Sequence, residues 1–337
     1  MMMQELLASQ PGPVNFLIFF IQAVALLLIV LGFVTYVILA ERKVLGFMQS
    51  RYGPNRVGGR LGLLQTFADI LKLLVKEDTI PDKADKKLFI LAPGFAIVPA
   101  VMVLAVLPFT EHFHFADIGI GLLYYFGIAG ITTLGLLLGG WASNNKYSLL
   151  GGARAAAQMV SYEIPLVMSV LGIVLLTGSM NLIDIVEAQE KVWFVFTQPI
   201  AFIVFSIAAY AELNRVPFDL PESENELVAG FQTEYGGFRW AMFYLAEYIY
   251  AFAMSALAVV LFFGGWQPLF PFLDFIPGAV WFGLKFAILV FGLSWVRATW
   301  PRVRPDHLME FAWKVLLPVA LANIFLTAIA KELIQLF

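Results

Sequence analysis

Long apolar runs alternate with short polar segments along nearly the whole chain. Runs near the ~20 residues needed to cross ~30 Å of hydrocarbon fall at about 15–40, 88–109, 120–141, 154–178, 194–212, 240–263, 278–298 and 311–332. The pattern predicts an all-α, polytopic integral membrane protein of about eight transmembrane helices, forming one membrane domain over residues 1–337. Residues 61–76 read differently: Leu64, Phe67, Leu71 and Leu74 form one stripe, while Gln65, Asp69, Lys72 and Lys76 lie elsewhere. This is an amphipathic interfacial helix, too short and too polar to span. Residues 181–190 predict a further short helix at the outer surface. No internal repeat, parallel or inverted, is visible, which disfavours a transporter built from repeats.

Composition agrees with the pattern. Only 13% of the residues are charged and 61% are hydrophobic, against roughly a quarter charged in soluble domains. The first basic residue, Arg42, follows the first apolar run. That run therefore lacks the basic leader of a signal peptide and is expected to remain as a span. With no cysteine, the chain has no disulfide, no thiolate iron–sulfur ligation and no cysteine-based zinc site. His112, His114 and His307 lie outside the middles of apolar runs, so paired haem ligands are lacking. No metal or flavin is expected here, and in any redox role the electrons belong to partners. The basic, turn-forming segment 50–60 lacks the Gly-Lys-Ser/Thr ending of a phosphate loop, so neither nucleotide nor nucleic acid is an expected ligand.

Lysine and arginine set the orientation. Ten of them lie between Arg42 and Lys87, and Lys146, Arg154, Arg215, Arg239, Arg297, Arg302 and Arg304 occupy later loops on the same side. The opposite loops hold only Lys191, with Lys331 near the C-terminus. The positive-inside rule places the basic loops in the cytoplasm and both termini outside.

Charged groups within the spans are costly, ~2.5–3.5 kcal/mol each at a helix centre on insertion scales, and mark function by default. Glu163 is nine residues into the fourth predicted span, ~14 Å deep at 1.5 Å per residue. Glu247 lies ~10 Å into the sixth. Glu212 and Glu41 are near the inner ends of spans five and one, and Lys285 is seven residues from the outer end of span seven. All four acids fall in the inner half of the membrane. Simpler readings stand beside this one. Glu41 reads equally as an interfacial charge, Glu212 as a span cap or a partner of Arg215, and Lys285 as a structural counter-charge. Glu163 and Glu247 also read as structural pairs, and His112 and His114 as solvated loop residues.

Residues 211–235 concentrate the chemistry. Six carboxylates, Glu212, Asp219, Glu222, Glu224, Glu226 and Glu234, share the segment with a single basic residue, Arg215. With Glu163 and Glu247 they predict a polar path from the inner interface towards the midplane. Low dielectric and mutual repulsion both favour protonated carboxyl groups, and such clusters exchange protons as coupled sets.

The segment Ala-Glu-Leu-Asn-Arg-Val-Pro-Phe-Asp-Leu-Pro-Glu-Ser-Glu-Asn-Glu-Leu-Val-Ala-Gly-Phe at 211–231 resembles the signature loop of the quinone-site membrane subunit of respiratory complex I. Glu-Arg-Lys-Val-Leu-Gly-Phe-Met-Gln-Ser-Arg-Tyr-Gly-Pro-Asn at 41–55 is similar to its second signature. Segments 63–77 and 297–309 resemble its interfacial helix and the motif after its seventh span. The resemblance covers nearly the whole chain. It implies a subunit of a proton-translocating NADH:quinone oxidoreductase with no redox activity alone, in a prokaryotic plasma membrane. Implied partners are hydrophilic quinone-site and terminal iron–sulfur subunits, antiporter-like membrane subunits, the lipid bilayer, and ubiquinone or menaquinone shared with those subunits. By position, Glu163, Glu212 and Glu247 resemble membrane carboxylates of a proton-coupling funnel. Asp219, Glu222, Glu224, Glu226 and Glu234 resemble its loop carboxylates, with Arg215 as counter-charge. Glu41, Arg42, Lys43, Phe67, Asp69, Arg297 and Arg302 resemble the quinone entrance and tunnel. One departure is Pro305-Asp306-His307-Leu308-Met309, where the family usually has Tyr-Asp-Gln-Leu-Met. Two other readings use the same features: an equivalent subunit of a membrane-bound hydrogenase or formate-hydrogenlyase complex, and a standalone cation/proton antiporter.

Overall fold

The computed structural model describes residues 12–111, 113–221, 224–269 and 275–336. Among the described residues its regular elements are helices, joined by turns and loops. In chain order the helices are α1 (Gly12–Met48), α2 (Gln65–Val75), α3 (Lys86–Met102), α4 (Gly121–Ala129), α5 (Ile131–Ala142), α6 (Lys146–Thr177), α7 (Leu182–Glu187), α8 (Phe194–Thr197) and α9 (Pro199–Glu212). They are followed by α10 (Glu224–Leu227), α11 (Gly237–Phe262), α12 (Gly278–Thr299), α13 (Pro305–Phe311) and α14 (Leu317–Leu336). Short 3₁₀ turns extend α3 over Val103–Val106 and precede α11 at Gly230–Gln232, and a π-helical turn, Ala312–Leu316, joins α13 to α14. Seven of the resulting passes are long and apolar enough to cross a membrane among the described residues, and α9 is a shorter apolar helix.

Local chemistry explains the boundaries. Asn145 opens α6 by accepting a hydrogen bond from the Tyr147 amide, and left-handed Gly178 closes it. Asp85 caps α3 through the Lys87 and Leu88 amides, satisfying donors that a helix start leaves bare. Three boundaries differ from expectation. The first helix continues to Met48, because Ala40 to Leu45 contains no Gly or Pro and its charged residues are good helix formers. Glu41, Arg42 and Lys43 are therefore helical. The fourth span begins at Lys146, so Glu163 lies near the middle of a helix that starts eight residues earlier than predicted. The fifth pass breaks at Gln198, because Pro199 starts a new helix and disfavours helical geometry in the residue before it.

α11 is the central helix. The apolar window within it is 89% buried, against 17% for α1 and 22% for α12. It packs on α3, α12, α2 and α1, so side chains along it reach several neighbours. α6 packs on α5, α9 and α14. The end of the acidic loop is seated on α6: Ser148 donates to the Phe231 carbonyl at 3.0 Å. A Cβ added to Gly151 would lie 2.6 Å from Gly230 Cα and from the Phe231 nitrogen. Neither atom can move without moving backbone. Gly151→Val is therefore expected to cost about 1–3 kcal/mol of stability through overpacking, seen as a lowered thermal unfolding midpoint of the detergent-solubilised protein.

Candidate functional site

Four elements converge near the junction of α9 with the acidic loop. Glu41 comes from α1, Arg215 from the loop after α9, Glu247 and Tyr248 from α11, and Arg297 from the last turn of α12. Glu41 is 2% exposed and Arg215 5%, so their charges survive only by facing one another. Arg297 donates to Glu41 Oε1 at 2.5 Å. Arg215 Nη1 lies 3.4 Å from Glu41 Oε2, and its Nε donates to Glu247 Oε1 at 2.8 Å. The order is Arg297, Glu41, Arg215, Glu247: plus, minus, plus, minus. Tyr248 donates to Glu41 Oε2 at 2.6 Å and lays its ring 4.1 Å from the Arg215 guanidinium carbon, a cation–π contact. Burial opposes the charge on Arg215, but the carboxylates of Glu247 and Glu41 more than offset it and hold the guanidinium above its ordinary value.

The row continues past Glu247. A cavity of about 40 Å³ is lined by Glu247, Glu212, Asn214, Gln232, Thr132 and Tyr250, among others. Glu212 is 3% exposed. Its Oε1 accepts from Tyr250 at 2.6 Å. Its Oε2 has no partner among the described residues, and the same holds for Thr132 Oγ1 and Asn214 Oδ1. Buried polar atoms around a space of this size are the conditions under which ordered water is held, since one water needs only ~10–15 Å³ of such volume. Glu212 does not pair with Arg215. Half-buried Glu163 sets its carboxylate beside Gly130, where an added Cβ would come within 3.1 Å of Oε1. Gly130 is also the joint between α4 and α5.

The loop acids are placed differently. Asp219 pairs with Arg302 at 3.2 Å, Glu226 with Arg154 at 2.6 Å, and Glu234 accepts from Asn145 at 2.6 Å. Each is held by its own partner rather than gathered with the buried acids. Glu222 and His112 lie outside the described residues, and for Glu224 only the backbone is described. Of the residues near the predicted quinone entrance, Arg42 pairs with Asp69 across α1 and α2. Lys43 is half-buried, and Phe67 is 47% exposed on α2. Thr66 fastens α2 to α1 by donating to the Thr35 carbonyl at 2.9 Å. Lys285 directs its ammonium at backbone carbonyls. Among the described residues no group of His, Asp and Glu is arranged to hold a metal.

Sequence reading overlooked the tyrosines. Tyr248 and Tyr250 each hold a buried carboxylate, and Tyr244 places its hydroxyl 3.2 Å from that of Tyr248. The available signal was three phenols bracketing Glu247 in one apolar run, since a buried tyrosine hydroxyl usually finds a partner.

A profile of the NADH dehydrogenase family matches residues 21–328. The chain is 71% identical to the NADH-quinone oxidoreductase subunit designated H of Bacillus cytotoxicus, over 98% of its own length and 99% of that protein. Proteins of the same description from a Geobacillus strain and from Anoxybacillus flavithermus are 70% and 69% identical, over the same shares. The chain belongs to this family of NADH-quinone oxidoreductase membrane subunits.

Within that family framework the buried row joins residues that the sequence had divided between two sites, Glu41 and Arg297 on one hand and Arg215 and Glu247 on the other. Replacing Arg215 alone leaves half-buried Glu247 without its cation and buried Glu41 with only Arg297 and Tyr248. Arg215→Met is expected to cost about 3–5 kcal/mol, and adding Glu41→Gln and Glu247→Gln should recover much of that loss. Thermal unfolding of the single and triple variants measures both.

Proposed function

We propose that this chain serves as the membrane subunit of a proton-translocating NADH:quinone oxidoreductase. In this reading it frames the quinone entrance and tunnel together with hydrophilic partner subunits, and it couples quinone reduction to proton movement through its carboxylates. The partners supply the iron–sulfur cluster, and antiporter-like membrane subunits receive the coupling signal. Eight passes return the chain to its starting side, in keeping with basic loops in the cytoplasm and both termini outside.

One observation carries the proposal: the unbroken row Arg297, Glu41, Arg215, Glu247, then the cavity and Glu212. Two electrons alone leave a quinone headgroup doubly negative, and forming the neutral quinol draws two protons from groups around it, so the charge on those groups changes. A charge change at the Arg297 end alters the field on Glu41, and in a low-dielectric interior that field is only weakly screened. Arg215 is shared between Glu41 and Glu247. Any loosening of one pair frees it to tighten on the other, and the proton occupancy of the released carboxylate shifts. The cavity and the free oxygen of Glu212 extend the path towards Glu163. The amphipathic α2, with Phe67 exposed and Asp69 tied to Arg42, supports placing the quinone entrance at residues 41–77.

Glu247→Gln keeps the shape and removes the exchangeable acid. It should lower proton pumping and quinone-coupled turnover by at least about tenfold, while NADH oxidation by an artificial acceptor upstream is retained. Full pumping in that variant sinks the coupling role. A photoreactive quinone analogue should label residues within 41–77, and labelling confined to the outer loops overturns the tunnel placement. Co-purification with NADH-oxidising subunits is expected, whereas recovery with a nickel–iron hydrogenase subunit favours the hydrogenase reading.

A further inference from the structure

Lys285 lies far along α12 from Arg297, at the opposite end of the helix pair from the charged row, and is 6% exposed. Its Nζ donates to the carbonyls of Phe263, Gly265 and Gln267 at 2.6, 3.0 and 2.6 Å. These carbonyls belong to the turn that ends α11. Three acceptors match the three donors of an ammonium, one more than a neutral amine offers. The nitrogen also stands 4.2 Å from the centre of the Trp193 ring. Gln189 completes the enclosure by donating to the Val260 carbonyl at 2.8 Å and accepting from the Gly264 amide at 3.0 Å. A cation at a helix C-terminus is favoured by the helix dipole, and here it satisfies the carbonyl of the C-cap residue Phe263 and two carbonyls of the turn beyond it.

We infer that Lys285 is a positioning residue that fixes the axial register of α11 and so delivers Glu247 and Tyr248 to Arg215 and Glu41. The inference rests on the coupling role proposed above for those groups. α12 grips α11 at one end through Lys285, and at the other holds Glu41, the acceptor of Tyr248, through Arg297. A helix is stiff along its axis, and Phe263 stands about 24 Å from Glu247 at 1.5 Å per residue. A slip at the Lys285 end is therefore transmitted to the row almost undiminished. The Tyr248 and Arg215 bonds there, at 2.6 and 2.8 Å, do not tolerate a shift of one residue's rise, about 1.5 Å.

The test is made in the assembled complex. Lys285→Met keeps the apolar stem and removes the ammonium. A structure of that variant is expected to show α11 displaced along its axis by about 1.5 Å and the Tyr248–Glu41 bond broken. Coupled turnover should fall about tenfold or more, the scale on which small misplacements act. Combining Lys285→Met with Glu247→Gln should lower turnover by clearly less than the product of the two single losses, because both act through the same charged row. An α11 that superposes on its native position with that bond intact overturns the inference, and so does a fully additive double variant. If Lys285→Met does not assemble, Trp193→Leu takes its place. It removes the ring face and should give a smaller displacement in the same direction, and its absence is equally decisive. Helix position is read directly, so a failure here is distinct from a failure of the coupling role, which shows as full pumping in Glu247→Gln with α11 in place.

Discussion

Arg215 places a permanent positive charge in the interior of a largely apolar bundle. Desolvating an ion of this kind costs several kcal/mol even after the surroundings relax, so its position depends on what faces it. Two carboxylates, Glu41 and Glu247, and the face of Tyr248 meet that requirement. Glu41 in turn needs Arg297. The four residues come from α1, the loop after α9, α11 and α12, so one buried guanidinium ties together elements distant in sequence. Such a network stabilises the fold less than it specifies it, since each member is costly when its neighbour is missing.

The same constraint gives the site its chemistry. In an alternating row each charge is held by the next, and the proposed coupling uses this by letting a change at one end act on the rest. Beyond Glu247, the cavity shared with Glu212 is lined in part by polar atoms that have no partner among the described residues. The loop acids have a different character. Asp219, Glu226 and Glu234 each bond to a residue beyond the acidic segment. They fasten the loop to α6 and to the segment after α12, while Glu41 and Glu212 are buried between helices and Glu247 stands half-buried beside them. The density of acids in 211–235 thus conceals two populations.

The helical architecture was legible because hydrocarbon admits few alternatives: long apolar runs must satisfy their backbone internally. Positions of individual acids inside those runs stood out for the same reason. Pairings were not legible. Glu41 read equally well as an interfacial charge, because the local residues that let α1 continue as a helix do not show that it turns this residue inward. Glu212 read as a funnel carboxylate, a span cap or a partner of Arg215, three residues away, and the structure gives its carboxylate to Tyr250 instead of Arg215. Lys285 read as a counter-charge, whereas its acceptors are backbone carbonyls, which carry no mark in the sequence. The phenols of α11 were visible but looked like ordinary packing groups.

The sequence by itself determined that this chain crosses a membrane repeatedly, that it belongs to a family of oxidoreductase membrane subunits, and that a small set of charges lies where charges are expensive. The crossings and the costly charges follow from composition and spacing, and the family from the resemblance of its motifs and the similarity of the whole chain to its relatives; all are read along the chain. Only the tertiary structure decided which charges meet. That outcome depends on the rotation and axial register of each helix, set by close side-chain contacts between elements far apart in sequence. A residue's distance from its future partner is not encoded in its own neighbourhood. It emerges when Arg215, Glu41, Glu247 and Arg297 must all be satisfied within one buried volume.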